Sequence, residues 1–262
     1  MTNTLFGWEN WVKTGTLTAS SQVTGLEVTQ LQNDQGATST SWTTATGATT
    51  ANVVVDAGSA VQWGAFGLFN SNLTPSATVR WRVSSDATFS TSIYDSGTLS
   101  GTIAAGYRQS VHVPPSAVTA RYARVDIADS TNSQNRIRVA QMYAGRAREP
   151  SISLGVSSGF SRQFDTPTLV TRGGQEYPFY RYSRRSWAVS FPDMSSTDVW
   201  NIAQELHRVA GEGGNVLFIP FPDGANNARE AVFGRIAEVG AATLPYPVPD
   251  FYNWSVTITE RL

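Results

Sequence analysis

Cysteine is missing from this 262-residue chain. That removes disulfide frameworks, Cys-ligated zinc and thiol nucleophiles together, and leaves the redox compartment open. Histidine is nearly missing too. His112 and His207 stand in different halves, and no His-x-x-Glu-His or similar metal spacing occurs. His112 falls in an alternating stretch before Pro114 and His207 beside Leu206, and both are expected to face outward. Charged residues make up 15% of the chain with a net charge of -1, so no basic excess exists to release counterions from nucleic acid. No apolar run approaches the roughly 20 residues that span a bilayer. Met1-Thr2-Asn3-Thr4-Leu5-Phe6 lacks the basic start and apolar stretch of a signal peptide, so a role outside the cell is expected to need lysis or a dedicated machine in place of ordinary secretion. Gly211-Glu212-Gly213-Gly214 follows a predicted helix where a phosphate loop must precede one, and reads as a terminator and turn.

What is present is alternation. In Tyr252 to Leu262 the residues Tyr252, Trp254, Val256 and Ile258 share one strand face, and Asn253, Ser255, Thr257 and Thr259 the other. The chain end is therefore expected to be built into the fold, with one strand face left for water or a partner. Residues 52–56, 63–69, 78–83, 121–127 and 136–143 read as further strands, with Ser/Thr/Gly/Asn turns between them and no helical period. Within 78–83, Val79, Trp81 and Val83 point inward and Arg80 and Arg82 outward. Trp42, Trp63 and Trp81 are expected in the core, and Trp8 and Trp11 at a subunit contact or edge. Strands at this spacing predict a β-sandwich.

The first half resembles galactose-binding-like (discoidin-type) jelly rolls. The resemblance rests on Leu17-Thr18-Ala19-Ser20-Ser21, Ser41-Trp42, Val53-Val54-Val55-Asp56-Ala57-Gly58, Arg121-Tyr122-Ala123-Arg124-Val125-Asp126-Ile127 and a strand ending Met142-Tyr143-Ala144-Gly145. It implies a domain over residues 1–147 that holds a sugar or a surface in loops at one end of the sandwich. Gly145-Arg146-Ala147-Arg148-Glu149-Pro150 reads as a short ordered linker.

Residues 148–262 carry the one convincing helix. Ser195 caps it with Asp198 as the reciprocal partner, Val199, Ile202, Ala203, Leu206 and Ala210 form its apolar stripe, and Gly211 stops it. Around it come the Trp187 strand, Val216-Leu217-Phe218-Ile219-Pro220, Val232-Phe233-Gly234-Arg235-Ile236 and the terminal strand. This half is similar to the tail-tube-like domains of bacteriophage distal tail and minor tail-tip proteins. The expected fold is thus mainly β: an N-terminal jelly-roll sandwich, then a small tail-tube-like sandwich or split barrel with one α-helix.

Polar loop tips supply candidate ligand residues: Asn33 and Asp34, Asp86 beside Phe89, and Asp129, Asn132 and Asn135. Amides and carboxylates beside an aromatic can bond sugar hydroxyls while the ring stacks on the sugar face, although the same residues are ordinary turn formers. Asn33-Asp34-Gln35-Gly36 offers oxygens for calcium, but too few carboxylates cluster there to assign a metal. Of Asp86, Asp95, Asp126 and Asp129, none has the apolar aromatic setting that raises a carboxyl pKa, so no catalytic residue is assigned. Eighteen of the 19 basic residues are Arg, a bias that suits interfaces and that codon composition alone can also produce. Tyr180, Arg181, Tyr182, Arg184 and Arg185 mix aromatic and guanidinium groups as interface cores do.

The resemblances imply a virion tail component without cofactor. Its second domain would form a homo-oligomeric ring, hexameric by likeness to distal tail proteins, joining tail tube to hub. Its first domain would sit outside, open to a host glycan. A carbohydrate-binding module and a polysaccharide depolymerase are the alternatives.

Overall fold

The computed structural model describes residues 3–245 and 250–261; Met1 and Thr2 of the signal-peptide reading and Leu262 of the terminal strand lie outside them. The chain is mainly β and divides into two compact units, one built from residues up to Pro150 with Leu217–Ala231, the other from Ser151–Val216 and Val232–Arg261. The segment 217–231 belongs to the first unit, so the units are not consecutive halves of the chain.

The first unit is a sandwich. Its strands are β1 (Leu5–Asn10), β2 (Thr16–Ala19), β3 (Trp42–Thr43), β4 (Thr50–Trp63), β5 (Ala65–Phe69), β6 (Thr78–Ser84), β7 (Tyr94–Asp95), β8 (Leu99–Ser100), β9 (Ser110–His112), β10 (Val118–Ala128), β11 (Arg138–Val139) and β12 (Gln141–Arg148). One antiparallel sheet runs β2-β4-β10-β6-β7, with β8 also on β6; β1, β12, β5 and β9 follow one another in the second sheet. Residues Leu217, Phe218 and Ile219 pair with Gly7, Phe6 and Leu5 of β1.

Alternation decides which faces meet. Val53, Val55, Val79, Trp81, Val83, Ala123 and Val125 are wholly buried, and they pack against Phe66, Leu68, Met142 and Ala144 from the opposite sheet. Register aligns them: Val125 lies opposite Val53 on one side and Trp81 on the other. Each of the Val, Leu, Phe and Met side chains contributes about 1.5–3 kcal/mol by leaving water. Trp42, Trp63 and Trp81 are in this core, as predicted. Trp8 is also buried and lies under the Arg148 guanidinium, while Trp11 packs partly buried against the same core and donates to the Gln62 carbonyl at 3.1 Å. The strand read as residues 52–56 is longer on both sides. Gly58, at φ +78, sits in a local shift of register, and β4 continues to Trp63. Gly145–Arg148, read as linker, is the last part of β12, where a Cβ on Gly145 would lie 1.9 Å from the Glu9 carbonyl oxygen.

The second unit has β13 (Gly159–Asp165), β14 (Thr168–Val170), β15 (Glu176–Pro178), β16 (Tyr182–Ser195), β18 (Val232–Val239) and β19 (Phe251–Glu260); β17 (Asn215–Ile219) divides between the units. β13 pairs with β16, β16 with β19 and β19 with β18, all antiparallel. Trp254, Val256 and Ile258 of β19 are buried and Asn253 and Ser255 exposed, as their alternation predicts. One helical segment, residues 196–210, buries Val199, Ile202, Ala203 and Leu206, with residues 199–204 wound as a π-turn. Gly211 stops it at φ +52. Ser195 caps it, accepting from the Asp198 N–H at 3.2 Å. Asp198 does not return the bond; its carboxylate takes the N–H and hydroxyl of Ser151.

Both histidines are drawn inward. His112 stacks on Phe66 and Tyr94, with the Tyr94 hydroxyl 2.6 Å from its Nε2, and burial lowers its pKa. His207 packs against Trp254 with centroids 5.8 Å apart, and burial lowers its pKa too.

Candidate functional site

The outer face of the β2-β4-β10-β6-β7 sheet is polar because it presents the other half of each alternation. Register sets Asp126 of β10 opposite Arg80 of β6 and Asn52 of β4, and sets Arg124 opposite Arg82. Two guanidinium groups facing each other across neighbouring strands repel. Asp126 offsets that repulsion, since its Oδ2 accepts from Arg82 Nη2 at 2.6 Å and its Oδ1 from Arg124 Nη2 at 2.5 Å. Arg80 is held by a two-point bond to Asp95, which keeps that carboxyl below its usual pKa. Asp56 is lowered in the same way by Arg121, whose Nε and Nη2 bond it at 2.7 and 2.8 Å.

At the Thr50–Thr78–Ala128 end of this face lies an open groove of about 710 Å³. Its lining includes the hydroxyl residues Ser20, Ser21, Thr50, Thr78 and Thr98, the amide residue Asn52, and the charged Arg80, Arg82 and Asp126; the Ser20 and Ser21 hydroxyls accept from the Asn52 and Ala45 N–H groups. Among the described residues, its lining holds no aromatic ring. The groove therefore offers many hydrogen-bonding partners, pre-oriented guanidinium groups and nearly balanced charge. It has the size of a small-ligand site.

The sequence-predicted ligand residues do not converge on one place. Asp86 and Phe89 follow the Ser84 end of β6. Asp86 accepts from Thr88 N at 3.1 Å, Ser90 N at 3.3 Å and Ser90 Oγ at 2.6 Å, and also from the Thr88 hydroxyl. Bonds from Ser90 and then Thr88 drive its pKa far below the carboxylate range. Phe89, at φ +56 and 7% exposed, folds back toward Arg82 and Arg124, whose guanidinium carbons lie 5.8 and 6.0 Å from its ring centre.

Asp129, Asn132 and Asn135 follow the opposite end of β10. Asp129 is 1% exposed and accepts from Thr74 N at 2.9 Å and Thr74 Oγ1 at 2.7 Å. Asn132 donates to the Asn72 carbonyl at 3.1 Å and to Asp129 at 3.2 Å. Asn135 is exposed in a left-handed turn at φ +51. Asn33 donates to Gln30 at 2.7 Å, and Asp34 pairs with Lys13. Most of these groups thus bond to other groups of the protein, Asp86 and Asn33 within their own loops and Asp34, Asp129 and Asn132 to neighbouring segments. Ser20, Thr50, Asn52, Thr78, Arg80 and Arg82 were missed as a site; outward position on adjacent strands was the available signal.

In the second unit, Tyr180, Arg181 and Tyr182 are exposed, and Arg184 lies 5.5 Å from the Tyr182 ring centre. Arg185 is 4% exposed and bonds Glu260 through Nε at 3.1 Å and through Nη2. Gly155-Val156-Ser157-Ser158-Gly159 has Gly-x-Ser-x-Gly spacing. It runs from a turn into β13, whereas a nucleophile elbow runs from strand into helix.

No protein-family profile and no curated protein matches this sequence. Among solved structures, the chain is similar to the lectin domain of lectinolysin complexed with Lewis B antigen, at 17% identity over 53% of this chain and 96% of that one, with a TM-score of 0.42. It is also similar to chitosan-binding module 1 of a chitosanase/glucanase from Paenibacillus sp. IK-5, at 21% identity, 52% and 98% coverage and a TM-score of 0.39. A Streptococcus pneumoniae fucose binding module shows 15% identity, 53% and 96% coverage and a TM-score of 0.41.

Proposed function

We propose that the chain is a non-catalytic carbohydrate-binding protein that holds a glycan in the outer-face groove of its first unit. The observation that carries this reading is a single groove lined by five Ser/Thr residues, one Asn and the charge-paired Arg80 and Arg82. Such a lining matches a polyhydroxylated ligand of little charge. Without an aromatic platform, single-site affinity belongs near the millimolar range, about -4 kcal/mol.

Turnover is not part of the proposal. A glycosidase needs one carboxyl held protonated near neutral pH. Asp86 and Asp95 are shifted the opposite way, and Asp126 is bonded to two arginines. A glycan array probed with the full chain tests the reading, alongside Arg80→Ala and Asn52→Ala. Binding of at least one glycan class is expected, roughly tenfold weaker in Arg80→Ala because a hydrogen bond to a charged group is worth about 1.5–3 kcal/mol. Silence across the array, or equal binding by both variants, would count against the groove.

A second reading concerns the second unit: a homo-oligomeric building part of a bacteriophage tail or tail-like particle, ring-forming and meeting tube and hub proteins. The observation that favours it is the exposed ribbon of residues 159–182, with Phe160, Phe164, Leu169, Tyr177, Phe179 and Tyr180 each at least half exposed. Sedimentation of the full chain tests self-assembly, and imaging of particles with the chain located in them tests the tail assignment.

A further inference from the structure

We infer that the glycan held in the outer-face groove is acidic, and that its carboxylate or sulfate group accepts hydrogen bonds from Arg80 and Arg82. This deepens the carbohydrate-binding reading above and rests on it. A guanidinium group carries five N–H donors in a planar fork. Arg80 turns its Nε/Nη2 edge to Asp95. Arg82 turns the same edge to Asp126 Oδ2 at 3.1 and 2.6 Å, and Arg124 to Asp126 Oδ1 at 2.8 and 2.5 Å. The Nη1 group of each has no partner among the described residues, and it is what each guanidinium has left to offer a ligand.

Charge says which ligand suits these donors. Three guanidinium groups share two carboxylates, +3 against -2, so the cluster keeps a net +1. Among the described residues, Asp126 is the one acidic residue of the groove lining. The Arg121–Asp56 pair cancels itself. Asp86 stands beyond the Ser84 end of β6, bonded to Thr88 and Ser90, while the groove lies at the Thr78 end. The surplus charge is also held in place. The Arg82 and Arg124 guanidinium carbons lie over the Phe89 ring, and both side chains are at least three-quarters covered. Such ordering lowers the entropy cost of gripping a ligand. Arg80 points to the same side of β6 two residues away and is the most accessible of the three, at 42% exposed. Bonds from a charged donor to an ionised acceptor are roughly twice as strong as bonds between neutral groups. A single surplus charge suits isolated anionic groups on a hydroxylated chain better than a continuous polyanion.

The test is an array probed with the full chain, on which sialylated, uronate-containing and sulfated glycans each stand beside a counterpart lacking the acidic group. We expect acidic members to bind roughly tenfold more tightly than their neutral counterparts. That gap should narrow as salt shortens the screening length from about 10 Å at 0.1 M to about 3 Å at 1 M. The carboxylate and sulfate arms show which anion is taken. Arg80→Gln and Arg82→Gln remove the charge and keep an amide donor, so each should erase most of the preference while weak binding to the neutral counterpart persists. Should either variant lose its circular-dichroism signal, the salt series on the native chain gives the readout. Equal binding of acidic and neutral members, or a preference unchanged by salt or in both variants, overturns the acidic assignment alone. Silence across every member overturns both this assignment and the carbohydrate reading beneath it.

Discussion

Asp126 stands between Arg82 and Arg124, which would otherwise face each other across the β6–β10 pair. Replacing it by Asn keeps the shape and removes the charge that reconciles them. Asp126→Asn should lower stability by about 1–2 kcal/mol, read from urea unfolding of the full chain. That is at or below the low end of the range of about 1.5–3 kcal/mol for a hydrogen bond to a charged group, because the pair is partly exposed. An unchanged midpoint would mean that the two arginines reorient at little cost. The histidines give a pH signature. Burial lowers the pKa of His112 and His207, so the folded state binds fewer protons than the unfolded state just below the ordinary histidine range. Their contribution is present above that range and is lost as pH falls through it. Stability should therefore decline between about pH 7 and pH 5, and His112→Gln/His207→Gln should flatten the decline. The carboxylates Asp56 and Asp95, lowered by their arginines, act in the same direction further down, below about pH 4.

At the scale of elements, the sequence is legible where burial writes a period. Thr78 to Val83 and Tyr252 to Ile258 alternate because one sheet face meets the core, and the helix stripe from Val199 to Ala210 shows for the same reason. β13, β14 and β15 were not legible: almost every residue in them is exposed, so no buried face imposes alternation. Asp198 looked like half of a capping box because spacing cannot show that Ser151 reaches it first. The Ser195 cap is local and was legible. Ser195→Ala should cost about 1 kcal/mol, measured as a lower thermal midpoint by circular dichroism. The ribbon turn between β14 and β15 is exposed throughout, so trypsin should cleave after Arg172 before it reaches arginines in the buried sheets. First cleavage elsewhere would show that the ribbon is already covered.

At the scale of the whole molecule, the sandwich of the first unit followed from strand spacing and turn chemistry. The groove did not. Ser20, Asn52, Thr78, Arg80 and Asp126 are dispersed along the chain and meet only through the β4–β10–β6 register, which alternation leaves undetermined. Loop residues such as Asp129 and Asn132 have ligand-like chemistry, yet their bonds to Thr74 and Asn72 hold the loops that carry them. Composition cannot distinguish the two uses. Amide chemical-shift mapping of the isotopically labelled full chain, titrated with the strongest-binding glycan, tests the central claim most directly. The account predicts saturable shifts at residues 50–52, 78–82 and 126–128 with the sugar recovered intact. Shifts confined to residues 70–77 and 129–135, or a shortened glycan at the end of the titration, would contradict it.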